Sequence, residues 1–151
     1  MRLATAFLIS LVSVHAALAQ TPPTASEAFA LRIKCKEMAD EKASSLWQTN
    51  PLLKNQPEVI LRYTKPRYDA KANRCYIEVF DHYKTVGPKP IHMQQHQIYD
   101  AQVDELLAFA QIEDGKKVGM VFEKGHIRKS DTNLGWDDAD AYIDEMMTDK
   151  R

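Results

Sequence analysis

The chain has 151 residues, 20 basic and 21 acidic side chains, and a formal net charge of −1. Near-neutrality with interspersed signs excludes the basic face that electrostatic nucleic-acid binding requires. The length suits one domain, large enough to bury a core and small enough to benefit from a crosslink.

The first nineteen residues, "MRLATAFLISLVSVHAALA", read as a cleavable signal peptide. Arg2 supplies the positive charge, an apolar run extends from Leu3 to about Val14, and Ala17-Leu18-Ala19 gives the small-x-small cleavage pattern. The run is too short to span a bilayer comfortably. Cleavage would leave Gln20 as the new N-terminus. It would remove one basic and no acidic residue, so −1 becomes −2. No second apolar run of spanning length follows, so the expected mature protein is periplasmic or secreted, with no membrane span.

Residues 20–26 form a polar, proline-bearing lead-in, and a single domain is expected over 27–149. Ser26 is a candidate N-cap. From Glu27 to Asn50, Leu31, Cys35, Met38, Ala39, Ala43 and Leu46 recur at three- and four-residue steps, the signature of an amphipathic helix. Asn50-Pro51 ends it. The period then becomes two. Val59, Leu61 and Tyr63 alternate with Ile60, Arg62 and Thr64, and Cys75, Ile77 and Val79 with Tyr76, Glu78 and Phe80, which predicts a hairpin closed by "DAKANR". Asp69 and Asn73 tolerate turn conformations, and Pro66 must sit where no ladder bond is needed.

Thr85 to Pro90 is a loop, and "IHMQQHQIYDA" is a polar strand expected at a sheet edge. In the next stretch Val103, Leu106, Leu107 and Ala110 fit a helix, yet Asp114-Gly115 is a hairpin signal that needs a strand on both sides. Strands are therefore predicted over about 105–113 and from Lys117 onward. "HIRKSDTNLG" is a loop, and a final helix begins near Trp136 with Asp137 as N-cap. The predicted class is α+β: a helix, an antiparallel meander of about five strands and a second helix, with the helices packed on one sheet face.

Two cysteines in an exported chain tend to pair. Cys35 lies on the apolar stripe of the first helix, and Cys75 shares strand parity with Ile77 and Val79, so both thiols point into one interface. A disulfide closing the chain between them contributes on the order of 4 kcal/mol in the chain-entropy picture. Neither cysteine has the neighbouring base that a catalytic thiol needs.

His82, His92, Met93 and His96 are the candidate metal ligands, a soft set suited to copper more than zinc. Strand positions four apart lie about 13 Å from each other, too far to share one ion unless the chain turns. "DTNLGWDDADAY" echoes a calcium loop, but its glycine falls early and Tyr142 stands where a glutamate is required. Ser44, Ser45 and Ser130 lack a nucleophile elbow, and no glycine loop cradles a phosphate. The leading reading is a structural or binding domain without a cofactor; an enzyme of unnamed class stays open and would need a deep cleft with convergent titratable groups. Tyr76 and Phe80 have the parity opposite Cys75. With both helices on one face, these rings would be exposed and could meet an envelope protein or a small ligand.

Cys35 followed by Met38 and Ala39, the tyrosine-led turn "RYDAKANRC", and the later step "IYDAQVDELLAFA" together cover about residues 30–112. In this layout the chain resembles a set of small, signal-bearing bacterial proteins of uncharacterised function. The resemblance implies the same fold and disulfide and no particular activity. The similar sequences would carry a glycine near the turn after Asp-Ala, where this chain has Val103 and Asp104.

Overall fold

The computed structural model describes residues 23–49, 57–123, 126–127 and 135–148. The expected signal peptide (residues 1–19), most of the expected lead-in and the start of the calcium-like motif lie outside them. Helix α1 spans Ala25–Thr49, and helix α2 spans Trp136–Met147. Between them run β1 (Glu58–Asp69), β2 (Arg74–Lys84), β3 (His92–Asp100), β4 (Glu105–Glu113), β5 (Lys116–Glu123) and the two-residue β6 (His126–Ile127). Each strand pairs antiparallel with the next, in the order β1-β2-β3-β4-β5-β6. The α+β order of helix, meander and helix is the one the sequence predicts. Residues 105–113 are strand, as the Asp-Gly turn requires. Asp114 and Gly115 both adopt positive φ there.

The ends of both helices differ from expectation. Thr24, not Ser26, caps α1. Its hydroxyl accepts from the Glu27 amide at 3.3 Å, and the Glu27 carboxylate accepts from the Thr24 amide at 2.8 Å. This is a reciprocal capping box, which satisfies two orphan donors at once. The N-cap position of α2 is Gly135, not Asp137, and no side-chain hydrogen bond caps that end.

The placement of the helices is corrected more substantially: they lie on opposite sides of the sheet. Cys35 and Ala39 of α1 pack on Cys75, Ile77, Val79 and Tyr99. Trp136, Ala139, Ile143 and Met147 of α2 pack on Ile98, Ala108, Ala110 and Val121. The register shows why. Ile77 opposes Tyr99 on the first face, whereas Glu78 opposes Ile98 on the second. "CYIEVF" is apolar on both parities, so each face needs its own cover. Small residues set how closely each helix approaches. Cys35, Ala39 and Ala43, the buried residues of α1, form a row at four-residue spacing. On the other face, a Cβ on Gly119 would run into the Gly135 carbonyl oxygen and lie 2.9 Å from the Ala139 Cβ.

Strand β3 is central, not an edge. Met93, His96, Ile98, Tyr99 and Asp100 are all buried. The edge is β1, which carries Pro66 and shifts register between Val59 and Leu61, leaving Ile60 as a bulge. The turn after β3 departs from the glycine expected of similar sequences and is completed by Asp104, at φ 54°. Aspartate is among the few non-glycine residues that enter the left-handed region readily.

Candidate functional site

Cys35 and Cys75 form a disulfide with 5.5 Å between their Cα atoms. Both residues are almost fully buried, at 1% and 3% exposure. The bond joins the middle of α1 to the first residues of β2, as helix stripe and strand parity predict. Two further contacts hold α1 to the same face. Trp47 Nε1 donates to Asp81 at 3.1 Å, and Arg62 Nε donates to the same carboxylate at 2.6 Å. The Arg62 guanidinium lies 4.5 Å over the Trp47 ring.

The opposite face carries a buried ionisable cluster. His96 sits at 5% exposure with both ring nitrogens facing carboxylates. Nε2 is 3.1 Å from Glu78 Oε1 on β2, and Nδ1 is 2.5 Å from Asp140 Oδ1 on α2. The Tyr63 hydroxyl on β1 donates to the same Glu78 oxygen at 3.0 Å, and Lys65 Nζ lies 3.8 Å from the other. Register places His96 directly opposite Phe80. The Phe80 ring meets the imidazole edge-on at 5.7 Å and stacks on Tyr63 at 5.2 Å.

Two acceptors on one imidazole favour its charged, doubly protonated form. Burial alone would lower the His96 pKa, but the hydrogen bonds to Glu78 and Asp140 and their charges outweigh it, so it is raised above 6.5. Burial pushes Glu78 the other way, and the bonds from His96 and Tyr63 bring it below its ordinary value. Burial, with the bond to Glu78, pushes the Tyr63 phenol up to about 12. With both nitrogens committed, the ring has none left to take a proton from a substrate. The arrangement suits holding elements together, not general-base catalysis.

The four candidate metal ligands do not converge. His82, His92 and His96 share the face that α2 packs on, whereas Met93 opposes Tyr83 on the α1 face and is buried there. His96 is already occupied by its two carboxylates. Among the described residues, no group of three or more His, Cys, Asp or Glu is arranged to hold a metal ion.

Tyr76 and Phe80 are both half-buried, in different surroundings. Tyr76 packs at the margin of the α2 core, with the Arg67 guanidinium 6.0 Å over its ring. It lines a cleft of about 560 Å³ with Arg32, Arg67, Tyr68 and Met146. Arg67 is anchored there by donating to the Met146 carbonyl at 2.8 Å and to Asp69 at 3.2 Å. Phe80 belongs to a strip toward the β1 edge, where Tyr63 and Leu61 are 37% and 49% exposed.

Sequence reasoning missed the role of His96, having read it as a candidate metal ligand, and singled out Asp137 rather than Asp140 on the final helix. The available signal was an ionisable residue on each of two neighbouring strands, Glu78 within "CYIEVF" and His96 beside "QIY". Its third member comes from a helix that was expected on the other face.

No protein-family model, curated protein or solved structure matches the chain. Among the described residues, no helix is long and apolar enough to cross a membrane.

Proposed function

We propose that this chain is an exported bacterial envelope domain that binds a partner and performs no catalysis. It would belong with the small signal-bearing proteins its motifs resemble. The observation that carries the reading is the buried Cys35–Cys75 disulfide, which ties helix to sheet. Such structural bonds persist in oxidising compartments and are rare in reducing ones. The leader-like residues 1–19 agree with that location. The binding part rests on Phe80 with its stacked neighbour Tyr63, and on Tyr76 at the cleft wall. Half-exposed aromatic rings on a rigid sheet are the usual anchors of protein recognition.

Two measurements test this. Mass spectrometry of alkylated protein from envelope and cytoplasmic fractions should find it in the envelope with both cysteines blocked. Photo-crosslinking from position 80 in envelope extract should give a discrete adduct, lost when Tyr63→Ser is added. A reduced cytoplasmic protein would end the export reading. An adduct unaffected by Tyr63→Ser would end the binding-surface reading.

A further inference from the structure

The His96 cluster spans four elements: β1 through Tyr63, β2 through Glu78, β3 through His96 itself and α2 through Asp140. We propose that His96 is a proton-operated latch between α2 and the sheet. The charged ring holds Glu78 and Asp140 together, and loss of its proton releases one of them and loosens α2. This inference does not depend on the binding reading above.

The chemistry follows from counting donors. A charged imidazole has two N–H groups and meets two carboxylates. A neutral one keeps a single N–H, so when the proton leaves to solvent one carboxylate faces a lone pair at hydrogen-bond distance. Asp140 is the partner free to withdraw, because Glu78 lies within the sheet and is also held by Tyr63. The surroundings reinforce the dependence on charge. From β1 the cluster is faced by Tyr63 and Lys65, from β2 by Glu78 and Phe80 with His82 further along the same face, and from α2 by Asp140 with Asp144 near Tyr63. On β4 the residue opposite His96 is Ala110, which brings no charge. Lys65, 62% exposed, is the further cation beside Glu78 among these groups, so the ring supplies the buried positive charge. The apolar contacts of Ile143, Ala139 and Met147, and the Arg67 bond to the Met146 carbonyl, remain when the latch opens. Helix α2 should therefore loosen without the domain unfolding.

The sign is that of a raised base. The contribution is fully present below the ordinary histidine pKa and lost as pH rises through the raised one. The depressed Glu78 adds an acid limb, lost as pH falls through its own lowered pKa. Tyr63 and Tyr99, pushed up to about 12, do not ionise within the working range.

Trp136 lies in α2 and is buried, so a Trp47→Phe background makes it a reporter of α2 docking. Acrylamide quenching of Trp136 should increase with pH. The opening constant should rise on the order of tenfold per pH unit between the ordinary and the raised pKa, then level off. Nitrogen NMR of the imidazole should show both nitrogens protonated below the quenching midpoint, and a His96 midpoint that coincides with it and lies above the ordinary histidine value. His96→Gln should remove the pH response. If that variant does not fold, Asp140→Asn, which keeps the His96–Glu78 pair, should move the midpoint down and flatten the quenching curve. A His96 midpoint at or below the ordinary histidine value would overturn the latch. So would quenching that stays level while His96 titrates, or an Asp140→Asn curve identical to the parent.

Discussion

Removing the Cys35–Cys75 disulfide tests the link between sequence, fold and compartment most directly. The perturbation is the double substitution Cys35→Ala and Cys75→Ala, compared with the parent in oxidising buffer. The sequence separation is 40, for which loop-closure entropy gives about 4 kcal/mol. Lost packing adds to this, because each sulfur is buried beside Ala39, Ile77 and Val79. Trimming two buried sulfurs to methyls costs about 1 kcal/mol more after partial collapse. A total near 5 kcal/mol is as large as the whole stability of many domains of this size. Urea unfolding followed by far-ultraviolet circular dichroism measures it. The midpoint should fall sharply, and the urea dependence should steepen because the unfolded chain becomes more expanded. The ring and ion contacts of Trp47, Arg62 and Asp81 remain intact, so any folded fraction should keep α1 on the same face. A loss below about 1 kcal/mol would refute the reasoning, since it would mean the unfolded chain is already constrained without the bond.

Three further substitutions test the close contacts. Gly119→Ala should destabilise by about 2–3 kcal/mol, because the new methyl meets the backbone oxygen of Gly135 and α2 must lift; thermal unfolding measures it, and an unchanged midpoint would show that α2 can slide at no cost. Asp81→Asn should cost about 2–3 kcal/mol in urea unfolding. It leaves Arg62 without its carboxylate at a site where the arginine side chain is 21% exposed, so the penalty is below that of a fully buried pair. Asp104→Gly should stay within about 0.5 kcal/mol of the parent while Asp104→Ala costs about 1 kcal/mol, since the φ of 54° suits glycine better than alanine. Equal effects of those two changes would show that backbone conformation is not what holds the turn.

The strands were legible because their alternation is direct: Cys75, Ile77 and Val79 lie on one face as their spacing requires. The disulfide followed from the same parity together with the helix stripe. The location of β3 was not legible. Its glutamines suggested an edge, but Gln95 faces Gln111 across the ladder at 3.0 Å in the middle of the sheet. Helix α1 lies over β1 and β2, and beyond it Gln95, Gln97 and Gln111 share that face with the apolar Phe109, Val118 and Met120. Polarity along a strand reports whether its face is covered, not where the strand sits in the sheet. For the same reason the side taken by α2 was hidden. Its own stripe is clear, but the small residues that receive it, Ala108, Ala110 and Gly119, carry little hydrophobic signal. The candidate metal set failed on parity, since Met93 and its histidine neighbours face opposite ways.

The bulge at Ile60 also governs how copies of this chain treat one another. The outer strand presents Val59, Ile60 and Leu61 to solvent, each close to half exposed. A straight strand of that composition would be a template on which a neighbouring chain could add, and then another. The extra residue bends the ladder there, and Pro66 withholds a backbone donor further along. A folding chain needs that obstruction most while its strand edges are newly formed and still unpaired. Deleting Ile60 should therefore show itself less in stability than in the concentration at which the refolding chain turns to fibres.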